Sequence, residues 1–143
     1  MTIQQISVFL ENTPGSLAEL TDDLAKNNVN MRAMSLADTS DFGIARFLVD
    51  NPEEVAEMLK KEDYLVNVTG IIAIEIPDEA GSLNKVLKLL GDNGRNIEYM
   101  YGFTGRKTNT ACMILRSTDI RKTEEVLEKA GVRMINPEEL KAL

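Results

Sequence analysis

The sequence predicts an α+β protein made of two copies of one unit, each running strand, helix, strand, strand, helix, strand. Three observations carry this. The stretch ENTPGSLAEL at 11–20 is written again as PDEAGSLNKVL at 77–87, so that Gly15-Ser16-Leu17 and Gly81-Ser82-Leu83 stand at an offset of 66. At the same offset Ile6, Val8 and Leu10 fall on Ile72, Ile74 and Ile76, the alternating positions of a strand. Leu17, Leu20 and Leu24 fall on Leu83, Val86 and Leu90, so the apolar stripe of a helix repeats in phase. Asn30-Met31 matches Asn96-Ile97, Met34 matches Met100, and Ala45 matches Ala111. A repeat on this scale marks a duplicated unit, and the expected domains are 1–69 and 70–143.

Periodicity and punctuation assign the elements in order. Residues 3–10 alternate as a strand, 14–28 carry a helical stripe, 30–37 and 42–50 read as strands, 52–61 as a second helix and 64–69 as a short strand. The second copy repeats the order over 71–76, 80–93, 96–103, 108–116, 119–130 and 132–135, and Pro137 opens a short terminal helix. Pro52 and Pro137 fit a first helical turn, where the missing amide costs nothing. With right-handed crossovers this order lays two helices on one face of a four-stranded antiparallel sheet in the order 4-1-3-2, the ferredoxin-like arrangement. Strand 2 is then an edge, and in the second copy Tyr99, Met100, Tyr101 and Phe103 make that edge too apolar to stand uncovered. If Ile6, Val8 and Leu10 face the helices, Phe9, Phe47, Val49, Met113 and Leu115 are expected on the opposite face. A face so apolar is usually buried, so a homodimer formed by face or edge packing is expected. Units of about 65 residues are also marginal alone, and the two copies are expected to share a surface.

Composition removes whole classes of chemistry. The chain has 16 basic and 23 acidic residues and a formal charge of −7, which disfavours a phosphate backbone, so no nucleic-acid partner is expected. It has no histidine and one cysteine, which leaves neither a His/Cys zinc site nor a Ser-His-Asp or Cys-His nucleophile. No catalytic residue, metal site or cofactor is expected. MTIQQISVFLEN lacks the marks of a secretion signal and no run of 18 apolar residues occurs, so a cytoplasmic protein with no membrane partner is expected.

Other motifs weigh little. SDFGIARF at 40–47 has the flavour of an RNA-recognition strand, but Ile44 occupies a position that should stack on a base, and the second copy reads KTNTACMI. The phosphate loop of an acylphosphatase needs an arginine after strand 1, and neither 11–16 nor 77–82 holds one. Cys112 reads as a small core residue. Glu53, Glu54, Glu124 and Glu125 read as solvated carboxylates at or near helix starts. Arg95, Arg106 and Lys107, with three aromatics nearby, are either a ligand-facing patch or the basic tips of a hairpin.

The repeated loop has its own chemistry. Pro14 fixes the backbone as the helix begins, Gly15 leaves room for close approach, and the first-turn amides favour an anionic group such as a carboxylate. The side-chain carbonyls of Asn12 or Asn30 could accept from an ammonium, and Asp78 more strongly in the second copy. Equally, Asn12 or Thr13 could cap the helix, and Asn30 and Asn96 could be plain turn residues. ENTPGSLAELTDDLAKNNVNM resembles the signature of ACT domains, small-molecule-sensing modules of amino-acid metabolism: an Asn-x-Pro-Gly loop, a helix, then a Val-Asn-Ile-like start to strand 2. The second copy is similar but degenerate, with Asp78 for the loop asparagine and Ala80 for the proline, while Gly81, Asn96 and Ile97 are kept. The resemblance spans the chain as two ACT-like units and implies a free amino acid bound at an interface between such units. The ligand-binding residues it implies are Asn12, Pro14, Gly15, Ser16, Leu17, Asn30 and Met31, with Asp78, Ala80, Gly81, Ser82, Leu83, Asn96 and Ile97 as their counterparts. It further implies a regulatory protein that reports to an enzyme or regulator in trans; the alternative is an assembly subunit of an amino-acid biosynthetic enzyme that binds no ligand.

Overall fold

A computed structural model describes residues 2–38, 40–104 and 108–142. The chain forms two compact units, Gln4–Thr69 and the residues from Gly70 onward, which Thr2 and Ile3 join. The first contains β1 (Ile3–Glu11), α1 (Ser16–Lys26), β2 (Ala33–Asp38), β3 (Phe42–Leu48), α2 (Pro52–Lys61) and the start of β4 (Leu65–Pro77). Its strands lie in the order β2-β3-β1-β4. The second continues β4 and adds α3 (Ser82–Asp92), β5 (Ile97–Thr104), β6 (Thr110–Ser117), α4 (Ile120–Lys129), β7 (Arg133–Ile135) and α5 (Pro137–Lys141), with strand order β5-β6-β4-β7. Each is a ferredoxin-like βαββαβ unit in the expected 4-1-3-2 order, with β2 and β5 as the terminal strands. The strands expected at 64–69 and 71–76 are a single strand, because Gly70 keeps ordinary negative φ and does not turn the chain.

Strand register decides which side chains meet the helices. Ile6 faces Phe47, and Phe47 faces Met34. Directly opposed residues share a face of the sheet, so Phe47 joins Ile6, Val8 and Leu10 under Leu20 and Leu24 of α1 and Val55 and Leu59 of α2. Ile72 faces Leu115 and Ile74 faces Met113, and these pack with Val86, Leu90 and Leu127 in the second core. Phe47, Val49, Met113 and Leu115 therefore lie on the helix side, against the expectation from sequence; of the five residues assigned to the far face, Phe9 alone is there. The phase of β3 and β6 was off by one residue, which moves every side chain to the other face. On the far side of the first unit Phe9 sits opposite Ile44 and remains 37% exposed. On the far side of the second, Ile71, Ala73, Cys112 and Ile114 are buried. Thus Ile71–Ile74 is buried on both faces of β4, which explains why IIAI is a continuous apolar run rather than an alternation.

The helix ends repeat as closely as the strands. Asn27 Nδ2 donates to Asp23 O and Asn93 Nδ2 to Leu89 O, both at 2.8 Å. The next residues, Asn28 and Gly94, have left-handed φ of 56° and 68°. Asparagine and glycine are the residues that tolerate this helix stop. Tyr64 Oη donates to Asp23 at 2.6 Å, tying the approach to β4 back to α1.

In the second unit Thr123 donates its hydroxyl proton to Asp119 O at 2.9 Å, so Ser117 must be the donor in the 2.7 Å Ser117–Thr123 pair. Both residues are buried. The asymmetry makes a prediction. Thr123→Val strands the Ser117 hydroxyl without its acceptor and should cost about 1–2 kcal/mol in urea unfolding, whereas Ser117→Ala leaves Thr123 bonded and should cost less than about half as much. Equal costs for the two variants would contradict the assigned direction.

Candidate functional site

The two repeated loops adopt one backbone conformation. Gly15 has φ 89°, ψ −12° and Gly81 has φ 90°, ψ −11°; each is the N-cap, and the helices begin at Ser16 and Ser82. Both starts are two residues later than the helical stripe suggests, because a left-handed residue cannot belong to a right-handed helix. The backbone bonds also correspond: Ser16 N to Thr13 O and Ser82 N to Glu79 O at 3.2 Å, Glu19 N to Gly15 O at 2.9 Å and Lys85 N to Gly81 O at 3.1 Å. The adjacent hairpin holds each loop, through Asn12 N to Asp41 O at 3.1 Å and Asp78 N to Asn109 O at 2.8 Å. Asp41 and Asn109 were not legible as loop anchors, since their carbonyls act and carbonyls leave no mark on sequence.

Neither helix has a side-chain cap. The capping role open to Asn12 or Thr13 is not used; Thr13 Oγ1 instead lies 2.7 Å from Ser16 Oγ. The helix starts thus lack a capping side chain from the loop, the electrostatic setting that favours an anion, with Ser16 N and Ser82 N already spent on loop carbonyls. A Cβ built on Gly15 or Gly81 meets nothing within 4 Å. The glycines are required by their φ, and the space in front of them is open.

The implied ligand residues divide into two groups. Asn12, Pro14, Gly15, Asp78, Ala80 and Gly81 are exposed at the loops, while Ser16 is half-buried and Ser82 buried. Leu17 and Met31 pack against the first core and Leu83 and Ile97 against the second. Asn30 and Asn96 are exposed, but they follow the C-terminal ends of α1 and α3, whereas the loops precede the N-terminal ends. Eleven helical residues span about 16 Å, so one unit does not bring its loop and its strand-2 asparagine together. Asn30 instead borders a recess of about 200 Å³ with Asn27, Asp50, Asn51 and Glu54. Beside it Arg32 grips Asp50 through both ends of its guanidinium, at 3.1 and 3.0 Å, a pair 18 residues apart that sequence spacing does not reveal. Arg106 and Lys107, in the stretch read as a basic patch or hairpin tip, lie outside the described residues.

Among the described residues no cluster of three His, Cys, Asp or Glu side chains could hold a metal ion, and no helix is long and apolar enough to cross a membrane. Cys112 is buried directly across from Glu75, and burial with that neighbouring charge pushes its thiol up to about 12. Such a thiol is a poor nucleophile.

The chain matches the ACT domain pair family over residues 1–143. It is similar to a crystal structure of a protein from Bacteroides thetaiotaomicron at 38% identity and a TM-score of 0.93, covering 100% of this chain and 98% of that one. The regulatory subunit of aspartate kinase from Thermus thermophilus, in a ligand-free form, matches at 16% identity and a TM-score of 0.64, over 89% of this chain and 91% of the other. That from Thermus flavus matches at 16% identity and 0.62, over 90% and 92%. These two likenesses show the fold. A search of the curated proteins found no match. Two βαββαβ units with matching loops, and a family match that runs from end to end, place this chain in the ACT domain pair family.

Proposed function

We propose that this protein is a regulatory binder of a free amino acid, with the ligand held at an interface between ACT-like units. The observation that carries the reading is the pair of uncapped helix starts behind Gly15 and Gly81, identical in backbone and open in front. A ligand carboxylate fits the amides there, and Asn12 or Asp78 beside them can accept from an ammonium. Because a single unit keeps its loop and its strand-2 asparagine at opposite ends, Asn30 or Asn96 serves the ligand only if it comes from a different unit than the loop. The protein then acts as a homodimer in the cytoplasm and passes the signal to an enzyme or regulator in trans, without catalysis of its own. The two Thermus neighbours are regulatory subunits of aspartate kinase, which agrees with that role.

The test is a thermal-shift screen against the twenty amino acids, followed by calorimetry. A ligand at 100 times its dissociation constant should add roughly 2.7 kcal/mol of stability. Asn12→Ala and Asp78→Ala should weaken binding unequally, since the first removes a neutral acceptor and the second a charged one. Replacing Gly15 or Gly81 by valine is an unsuitable probe, because at φ near 90° the substitution strains the backbone whatever the ligand does. If no amino acid shifts the midpoint, the sensing reading fails and an assembly subunit that binds no ligand takes its place.

A further inference from the structure

The duplication that copied the loops also copied a helix and then reversed the charge of its first turn. α2 (Pro52–Lys61) and α4 (Ile120–Lys129) are both ten residues long, with Asn51 and Asp119 at their N-cap positions, where only Asp119 caps with its side chain. Set side by side, Glu53 and Glu54 of α2 stand where Arg121 and Lys122 stand in α4, and all four are exposed. Acids in a first turn agree with the helix dipole; two cations there oppose it, and the first turn of α4 holds no acid. Lys122 offsets part of this by pairing with the N-cap Asp119 at 3.9 Å, but helix stability does not explain Arg121.

Their surroundings offer another explanation. Lys122 and Lys129 of α4 line a recess of about 500 Å³ with Arg95, just beyond α3, and with the half-buried Leu89 and Val126; Glu125 is its one acid, so the lining is net cationic. In the first unit the equivalent face of α2 forms a concavity lined by Glu53, Glu54, Glu57, the half-buried Met58 and Lys61, so there the lining is net acidic. The imbalance extends beyond these helices. Residues 4–69 contain 12 acidic and 5 basic residues, and residues 70–143 contain 11 of each, so the whole charge of −7 lies on the first unit.

We propose that a second copy of this chain docks here, the acidic α2 face of one copy meeting the cationic recess beside α4 of another. Met58 and Val126 supply the apolar centre and the charges select the pairing. The inference rests on the self-association proposed above and assigns it a surface made of helices.

Charge reversal tests it by sedimentation velocity at low salt. Arg121→Glu with Lys122→Glu, and separately Glu53→Lys with Glu54→Lys, should each raise the dimer dissociation constant at least about tenfold, because each sets like charges against each other. The protein carrying all four changes should return to within about threefold of the parent, and high salt should weaken the parent dimer. Circular dichroism checks that these surface variants remain folded. A dimer indifferent to either pair overturns the assignment. So does a fourfold variant no tighter than the twofold ones, which would mean that the recess serves some other acidic occupant. A parent that is monomeric overturns both this surface and the self-association, while amino-acid binding in the thermal-shift screen would still stand or fall separately.

Discussion

Phe47→Ala should destabilise the protein by about 3–5 kcal/mol, and Phe9→Ala by less than about 1 kcal/mol, although both phenylalanines lie on adjoining strands of one unit. Phe47 is fully buried opposite Ile6, beneath both helices, and its removal leaves a cavity that rigid neighbours cannot fill. Phe9 is 37% exposed on the other face and has solvent to take its place. Urea unfolding of the two variants reads the difference directly. Comparable losses would mean that the register placing Ile6 against Phe47 is wrong by one residue.

Alkaline pH should weaken the protein in part through the Cys112 thiol. Cys112 ionises near its ordinary 9.0 when unfolded and only at about 12 when folded. Above the lower value the unfolded chain has released a proton that the native chain retains, so the unfolded state binds fewer protons and stability falls as pH rises. The contribution is intact below pH 9 and declines by up to about 1.4 kcal/mol per pH unit towards the folded value. Between pH 7.5 and pH 11 the parent should therefore lose about 2–3 kcal/mol more than Cys112→Ala, which has no proton to lose. Tyr64 is also raised, chiefly by burial and its bond to Asp23, but it is present in both proteins and cancels in the comparison. If the parent and the alanine variant lose stability in parallel, the thiol does not carry the effect.

Much of the fold was legible because duplication writes its signals twice. A strand alternation at Ile6, Val8 and Leu10 is suggestive alone, and the same alternation at Ile72, Ile74 and Ile76 makes it a pattern. The bounds of α2 were readable to the residue, since Pro52 marks the first turn and Glu62 follows the last. The starts of α1 and α3 were not, because a helical stripe extends back through Pro14 and Ala80 while the left-handed glycines cut it short. Face assignment in β3 and β6 failed for a different reason. Alternation tells which residues share a face, but only pairing tells which face that is, and pairing is set by partners far away in sequence. The candidate site was half legible: the glycine loops stood out, whereas the hairpin carbonyls that hold them did not. Nor could the sequence show that Asn30 and Asn96 lie a helix length away from those loops.

The way the loops are held has an evolutionary consequence. They share a left-handed glycine and main-chain bonds to the hairpins at Asp41 and Asn109, although the side chains at positions 12 and 14 differ from those at 78 and 80. The same loop backbone is therefore compatible with two different sets of side chains at those positions. Asn12 could become Asp78, and Pro14 could become Ala80, with the backbone unchanged to within a degree at the glycines. A duplicated module constructed in this way can drift in ligand preference, one copy at a time, without passing through misfolded intermediates.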